Sequence, residues 1–309
     1  MQRIKTFKHR IVRDLAWTIL SPPLVDLQCE TATSASIRWC RRQFDAFLPQ
    51  LRALDADPAP LQEKIDIEQS YRLGKYFENL IAYWLEASDD FELLERNLQI
   101  RDGKETLGEM DFLVLDLKDQ KTSHWEVAVK FYLGFPSDDA LTSWHGPGKR
   151  DNLARKMGHL TAHQLQRSSH PVAIDLLRDK GHEVNRSFLF VKGRLFHERS
   201  CPSPLPQSAT PSSETGITIH ANHLHSWWAK ASEFADFGDS GDQTWHQLTK
   251  PNWLVDQSDL DVRYEPGSFD SLVELGRERP IYVVSLEDGQ EKRRGFVVPD
   301  DWCDELERS

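Results

Sequence analysis

The chain has 309 residues, of which 39% are hydrophobic, enough to bury the core of one large or two ordinary domains. Its formal net charge of -11 argues against a protein coated in positive charge for non-specific nucleic-acid binding, so any polyanion site must be local. The 4 cysteines lie far apart without a CxxC pair, which argues against a zinc ribbon and fits a reducing compartment. No apolar stretch approaches the ~20 residues of a membrane span. We therefore expect a cytoplasmic protein with no membrane partner.

Helical periodicity dominates the N-terminal part of the chain. Residues 10–20 and 34–54 are predicted to form amphipathic helices, and residues 56–61 a linker. Residues 63–87 show the clearest helical period, an apolar stripe with Glu78 at its edge. A carboxylate at this border can reach into a neighbouring cleft, although a Glu at a helix edge is more often simply solvated.

Residues 108–130 are predicted to form two strands joined by a polar turn. Period-two alternation places Asp111 on one face of the first strand. In the second strand it separates an apolar row beginning at Trp125 from a row that contains Glu126 and Lys130. Charged side chains on an otherwise apolar hairpin are costly to desolvate unless they serve one another or a bound cation. This cost is the first indication of a functional site.

The segments around this hairpin complete a predicted core. A short strand over residues 98–100 comes before it, and a loop over residues 135–148 comes after it. A helix over residues 151–166 and a strand over residues 186–191 follow. The core therefore has the order helix, strand, strand, strand, helix, strand.

A Ser/Pro-rich segment separates this core from the C-terminal part of the chain. Beyond it we predict a Trp-bearing helix within residues 220–235, an irregular aromatic segment over residues 245–253, and a hairpin over residues 280–299. The predicted parts are a helical N-terminal region, a core, a loop and a C-terminal α+β extension packed on the core, at residues 1–60, 61–199, 200–216 and 217–309.

The predicted helix after the hairpin carries a local basic surface, in a segment that also contains Arg167 and whose only acid is Asp151. His159 and His163, four residues apart, have a spacing that suits a metal, but the neighbouring cations favour contact with phosphate. The side chains that we expect to bind a nucleic-acid backbone are Lys149, Arg150, Arg155, Lys156 and Gln164.

The remaining chemistry belongs to four residues, Glu78, Asp111, Glu126 and Lys130. Two carboxylates on adjacent strands offer the hard oxygen ligands that Mg²⁺ and Mn²⁺ prefer. A lysine on the same face can orient or help deprotonate an attacking water and offset charge on phosphorus. This arrangement is typical of phosphodiester cleavage. The structural alternative is a surface hairpin with a cross-strand Glu–Lys pair, which contributes little to stability.

The combination of a helix Glu, a Gly-x-x-Asp strand, a Glu/Lys strand and a basic helix resembles the PD-(D/E)XK nuclease superfamily. The resemblance covers about residues 65–195, where Gly108-Glu109-Met110-Asp111 followed by Glu126 looks like the motif pair of that superfamily. The opening RDLAWTILSPPL and the closing GFVVPDDW also resemble a bacterial family, domain of unknown function 1853.

This resemblance implies a restriction-endonuclease-like α/β fold, a mixed sheet flanked by helices, and a metal-dependent nuclease acting on DNA, with RNA as the second option. Asp111 and Glu126 would hold Mg²⁺ or Mn²⁺, Lys130 would be the catalytic lysine, and Glu78 would be an outer carboxylate. The family pattern places a lysine where this chain has Ala128, and Lys130 lies ~6.6 Å further along the strand. Either the lysine has migrated, or the fold serves as a non-catalytic module that binds nucleic acid or protein.

Overall fold

The computed structural model describes residues 1–65, 72–135, 140–200, 215–237, 243–256, 268–304 and 306. Within these ranges the chain is a mixed α/β protein with a large mixed sheet flanked by helices, as predicted. No helix in the described ranges is both long enough and apolar enough to cross a membrane.

The chain forms two compact units, each drawn from several stretches of sequence. The first unit comprises Met1–Lys130, Arg155–Lys192 and Ser208–His223, and the second comprises Phe131–Ala154, Gly193–Gln207 and Leu224–Ser309. The predicted domain boundaries stay predictions, and most of the predicted Ser/Pro-rich loop lies outside the described residues.

Helices and strands are interspersed along the chain, beginning with one helix, two short strands and three helices. The helices are α1 (Arg10–Leu20), α2 (Ile37–Ala56), α3 (Ala59–Lys64), α4 (Leu73–Glu86), α5 (Leu153–His159), α6 (Pro171–Asp179), α7 (Ala231–Ala235) and α8 (Phe269–Glu278). The strands are β1 (Val25–Leu27), β2 (Ala32–Ser34), β3 (Phe91–Asp102), β4 (Glu105–Asp116), β5 (Lys121–Gly134), β6 (Trp144–His145), β7 (Arg186–Glu198), β8 (Ile217–Ile219), β9 (Leu224–Lys230), β10 (Thr244–Leu248), β11 (Ile281–Glu287) and β12 (Gln290–Val298).

The N-terminal helices follow the predicted order, with different ends. α1 has the predicted bounds, and α2 begins after Ser36, whose hydroxyl accepts a hydrogen bond from the backbone N–H of Trp39 at 3.2 Å. The predicted linker over residues 56–61 was wrong, because α2 ends at Ala56 and α3 occupies the second half of the segment. A proline in the first turn of a helix sacrifices no hydrogen bond, so Pro60 is compatible with this helix. α4 carries Glu78 but starts ten residues later than the predicted helix.

The sheet of the first unit confirms the predicted central hairpin. β3, β4, β5 and β7 are neighbours in that order, and β5 and β7 both begin in the first unit and end in the second. β3 is longer than the predicted strand over residues 98–100, and it turns into β4 at Gly103, where a φ of +58° favours glycine. β4 and β5 pair antiparallel from Phe112–Trp125 to Asp116–Lys121. The predicted core elements occur in the predicted order, and the structure adds β6 and α6 between β5 and β7.

The apolar face of β5 packs into an aromatic cluster. Trp125 is 3% exposed. The rings whose centroids lie 4.5–6.1 Å from its own belong to Trp39, Trp84, Phe91, Phe188 and Phe190. This cluster confirms the predicted apolar row of the second strand and anchors β5 between its neighbours.

The first unit resumes at Arg155 with helical segments, of which α6 packs on the sheet. The predicted helix over residues 151–166 is two pieces, α5 and a π-helical turn over Leu160–Gln164. α6 then packs its buried side chains against Ile100, Met110 and Leu113. Leu113 pairs with His124 across the β4–β5 ladder, so this cluster lies on the face of β5 away from Trp125.

The second unit contains a sheet with the order β10, β11, β12, β9, in which β9 runs parallel to β12. The predicted C-terminal hairpin is confirmed as β11 and β12. The predicted Trp-bearing helix was wrong, because Trp227 and Trp228 lie on β9. Adjacent aromatic residues fit a pleated strand that packs on both faces, with Trp228 fully buried. The predicted irregular segment from residue 245 begins with a strand, β10.

Candidate functional site

Asp111 and Glu126 lie side by side where β4 and β5 separate. The antiparallel ladder ends at the Phe112–Trp125 pair. One residue further along, the Asp111 carboxylate accepts a hydrogen bond from the backbone N–H of Val127 at 2.9 Å. Glu126, which precedes Val127, has a 0% exposed side chain and is hydrogen-bonded to Asp111. The two strands therefore bring both carboxylates to one point inside the first unit.

The Glu126 carboxylate is held by side chains from its own strand and from the π-helical turn. His124 Nε2 lies 2.9 Å from Glu126 Oε1, and Gln164 Nε2 donates a hydrogen bond to Glu126 Oε2 at 2.6 Å. Lys156 Nζ in turn donates to Gln164 Oε1 at 3.0 Å. Gln164 thus connects the lysine of α5 to the carboxylate and fixes the orientation of Glu126.

Both carboxyl groups titrate near neutral pH. Burial raises the pKa of Asp111 to about 7, and the charges of Glu126 and Glu78 raise it further, against the hydrogen bond from Val127. Burial also raises the pKa of Glu126 to about 7, while the positive charges of Arg167 and Lys156 and hydrogen bonds to Asp111 lower it. Two adjacent carboxyl groups with such pKa values are typical of functional sites.

His124 is a neutral, fully enclosed partner of Glu126. Burial lowers its pKa to about 4, the charge of Arg167 lowers it too, and Asp111 opposes both effects. Its Nδ1 has no hydrogen-bond partner within the described part of the chain. A neutral imidazole can donate through Nε2 to an ionised carboxylate or accept from a protonated one. His124 can therefore stay hydrogen-bonded to Glu126 whether the carboxyl group is ionised or protonated.

Arg167 reaches this site because Gly108 has no side chain. Gly108 has a φ of +153°, and a Cβ placed on it would lie 2.8 Å from Arg167 Cζ. In the space left open, Arg167 Nη1 donates to the backbone carbonyl of Glu109 at 2.6 Å and lies 3.7 Å from Glu126 Oε1. The first residue of the Gly-x-x-Asp motif thus admits a cation beside the acid of the second strand.

The other predicted site residues lie on several different elements of the two units. Glu78 is half-buried on α4, with Oε2 3.2 Å from Lys75 Nζ, and its charge acts on Asp111. Lys130 lies further along β5, and its catalytic role stays a prediction. Arg155 is exposed on α5, whereas Lys149 and Arg150 belong to the second unit. Contact of these basic residues with nucleic acid stays a prediction.

His124 was not predicted as a site residue, and Arg167 was predicted only as part of the local basic segment. His124 stands two residues before Glu126 on one strand, so the alternation that selected Glu126 also marked His124 as its neighbour. Arg167 comes from a distant 3₁₀ turn, and no spacing rule connects it to β5.

The donor chemistry suits a hard divalent cation. Mg²⁺ usually takes one or two protein carboxylates and completes its shell with water and substrate phosphate oxygens. Asp111 and Glu126 supply two such carboxylates, and a cation would offset the burial that raises both pKa values and the repulsion that raises that of Asp111. In the described ranges, no group of three or more His, Cys, Asp or Glu side chains is placed to hold a metal ion. A role for Glu78 as a third ligand therefore stays a prediction.

Comparison with known proteins identifies a family and nothing more specific. The model of a family described as Domain of unknown function (DUF1853) matches residues 13–298, a range that includes every residue of the candidate site. No curated protein and no solved structure matches the chain. A function can therefore be inferred only from the geometry of the site.

Proposed function

The chain belongs to the DUF1853 family, and we propose that it is a metal-dependent nuclease that hydrolyses phosphodiester bonds of DNA, with RNA as the second option. The observation that carries this proposal is the buried pair of Asp111 and Glu126, each with its pKa raised to about 7, beside the positive charges of Lys156 and Arg167. A restriction-endonuclease-like core of PD-(D/E)XK type is part of the same proposal.

The energetic cost of this pair supports a functional reading. Burial of a carboxylate without full compensation costs several kcal/mol, and two neighbouring carboxylates also repel each other. Surface ion pairs carry no such cost, so the pair does not fit the structural alternative of a solvated Glu–Lys hairpin. A site that binds a divalent cation and then an anionic substrate accounts for both the buried acids and the nearby cations.

Each side chain has a defined task in the proposed reaction. A bound Mg²⁺ would supply a Lewis acid that stabilises negative charge on the phosphoryl group. The backbone N–H of Val127 holds Asp111 in place, and His124 and Gln164 orient the two oxygens of Glu126. Arg167 and Lys156 attract the phosphate, and Lys130 orients the attacking water and offsets the charge that develops on the phosphoryl group.

One observation favours the second candidate, a non-catalytic module that binds nucleic acid or protein. Both oxygens of Glu126 already contact protein side chains, since His124 is at Oε1 and Gln164 is at Oε2. These two contacts orient the Glu126 carboxylate without a cation. The two candidates differ in two measurable properties, the cleavage of nucleic acid and the binding of a divalent metal by Asp111 and Glu126.

The test combines a cleavage assay with calorimetry. Purified protein is incubated with supercoiled, linear and single-stranded DNA and with RNA, in Mg²⁺, Mn²⁺ or EDTA. We expect metal-dependent cleavage that falls on the order of 10³-fold in Asp111→Asn. The matched control is Asp116→Asn, the same change on the same strand but outside the site, which should cleave like wild type. Folded protein that cuts none of these substrates contradicts the nuclease, and absence of Mn²⁺ binding in calorimetry favours the binding module.

A further inference from the structure

A cavity of about 490 Å³ opens in the first unit beside the carboxylate pair. Its walls come from the strands of the β3–β4 hairpin and from the segment between α5 and α6. Side chains around it include His159, His163, Arg167, His170, Leu107 and Ala162. The cavity volume falls within the range of about 300–1,000 Å³ that small-ligand sites occupy.

One side of this cavity is suited to an anion. Arg167 and three histidines line it, and none of the lining residues in the described chain is an acid. The rings of His159 and His163 lie 5.3 Å apart, centroid to centroid. His170 Nδ1 accepts a hydrogen bond from the backbone N–H of Val172 at 3.3 Å, so Nε2 carries the proton and is the remaining donor. Several donors and no carboxylate favour a phosphate.

The other side of the cavity is apolar. Leu107 on β4 is 37% exposed, an unusual degree for a large hydrophobic residue in this chain, and it lines the cavity with Ile100 and Ala162. An exposed apolar wall next to stackable imidazole rings suits the face of a nucleobase. The cavity thus combines the two surfaces that a nucleotide requires, one for its phosphate and one for its base.

Arg167 connects this cavity to the carboxylate pair. The guanidinium that lines the cavity has its Nη1 3.7 Å from Glu126 Oε1. A phosphate bound to Arg167 from the cavity side is therefore adjacent to the acids that would hold the metal. The nucleotide in the cavity would be a close neighbour of the phosphodiester that is cut.

We infer that this cavity, defined by His159, His163, Arg167 and Leu107, binds one unpaired nucleotide of the substrate strand next to the cleavage point. The inference deepens the proposed function and rests on it for the choice of a nucleic-acid strand as the occupant. A cavity of about 490 Å³ has room for a single nucleotide but not for a base pair with its two backbones. The substrate must then be single-stranded, frayed or distorted at this position, because a stacked base in a duplex cannot enter.

The test measures nucleotide binding without metal or cleavage. Protein in EDTA is titrated with adenosine monophosphate, adenosine or inorganic phosphate, and binding is followed by calorimetry and by the NMR signals of the histidine rings. We expect the monophosphate to bind more tightly than adenosine or phosphate alone. In His163→Ala, affinity for the monophosphate should fall about tenfold, the usual effect of one lost contact to a charged group. His182→Ala, in the same unit but away from the cavity, is the matched control and should bind like wild type.

A second pair of titrations separates this inference from the proposed function. Asp111→Asn should keep its affinity for the monophosphate while it loses cleavage. His163→Ala should weaken binding of a single-stranded oligonucleotide and leave binding of a blunt duplex unchanged. The inference is overturned if wild type does not bind the monophosphate, if phosphate alone binds equally well, or if His163→Ala binds normally. Monophosphate binding in a protein that cuts no nucleic acid would support the cavity and reject the nuclease.

Discussion

The two faces of β5 lie in opposite environments, one apolar and one polar. Trp125 points into a cluster of five aromatic rings and is 3% exposed. Glu126, the next residue, points the other way and is equally buried, but among a second carboxylate, a neutral histidine and a glutamine. Alternation along one strand therefore separates a purely apolar environment from a polar one within a single residue.

This difference indicates that the aromatic face of β5 stabilises the fold and that the charged face lowers its stability. Burial of a large aromatic side chain contributes a few kcal/mol to folding. Burial of two acids whose pKa values are raised to about 7 costs stability whenever both are ionised. We conclude that the aromatic face holds β5 in place so that the charged face can be kept in an arrangement that is unfavourable on its own.

The largest effect is expected at the aromatic face. Trp125→Ala removes a ring that contacts five others and leaves a cavity, so we expect a loss of about 4 kcal/mol in the free energy of unfolding. Trp125→Phe keeps one ring and should lose about half as much. Urea denaturation monitored by circular dichroism gives both values.

The matched comparison for this prediction is Glu126→Gln, one residue away on the same strand. It removes a charge while it keeps nearly the same volume, so we expect it to be close to wild type in stability or more stable above neutral pH. If Trp125→Ala lowers the free energy of unfolding no more than Glu126→Gln does, the aromatic face is not the one that stabilises β5.

A smaller effect, dependent on pH, is expected at Asp111. The unfolded carboxyl ionises near 3.8, but the folded one remains protonated up to about 7. The folded state therefore binds more protons than the unfolded state in this interval, and wild type loses stability as pH rises through it. Asp111→Asn lacks this loss and keeps an oxygen that accepts from Val127. At pH 8 the variant should be more stable than wild type by on the order of 3 kcal/mol.

The difference between variant and wild type should shrink steadily as pH is lowered from 8 to 5. Burial lowers the pKa of His124 from 6.5 to about 4, so below about pH 6.5 the unfolded imidazole takes up a proton that the folded one does not, which gives the opposite slope over part of this range. His124 is present in both proteins and contributes little to the difference. Mg²⁺ at pH 8 should restore stability in wild type and not in Asp111→Asn if the site binds a cation. If the difference in stability between Asp111→Asn and wild type is the same at pH 5 and pH 8, burial does not raise the pKa of Asp111.

The sequence was sufficient to predict the two faces of β5, because strand alternation depends only on local backbone geometry. It placed Asp111 and Glu126 on adjacent strands for the same reason. The predicted helix at Trp227 and Trp228 was wrong, since two adjacent aromatic residues fit either an amphipathic helix or a strand that is buried on both sides. Their strand conformation depends on pairing with β12, whose residues are distant in sequence.

The spacing of residues along the sequence could not predict the contacts around Glu126, for a different physical reason. Gln164 reaches Glu126 from a π-helical turn, which changes the phase of the helix after His159. An ordinary helical period carried from Arg155 to Gln164 therefore assigns the wrong face. Gln164 was predicted to bind a nucleic-acid backbone, and in the structure its amide binds a carboxylate and receives a hydrogen bond from Lys156.

The smallest effect is expected at Gly108, and it tests how the charged face is assembled. Gly108→Ala introduces a methyl group where the Arg167 guanidinium now lies, and at a φ that favours glycine. Because an arginine side chain can shift, we expect a loss of only about 1 kcal/mol in stability, including its hydrogen bond to the Glu109 carbonyl. The displaced charge should also raise the pKa of Glu126, since Arg167 is the leading cause that lowers it.

Gly103→Ala is the matched control, with a positive φ but no atom within 4 Å of the new Cβ, so it should cost similar stability and leave the Glu126 titration unchanged. NMR titration of the glutamate carboxyl carbons measures this shift, and an identical Glu126 pKa in both variants would mean that Arg167 does not tune the acid.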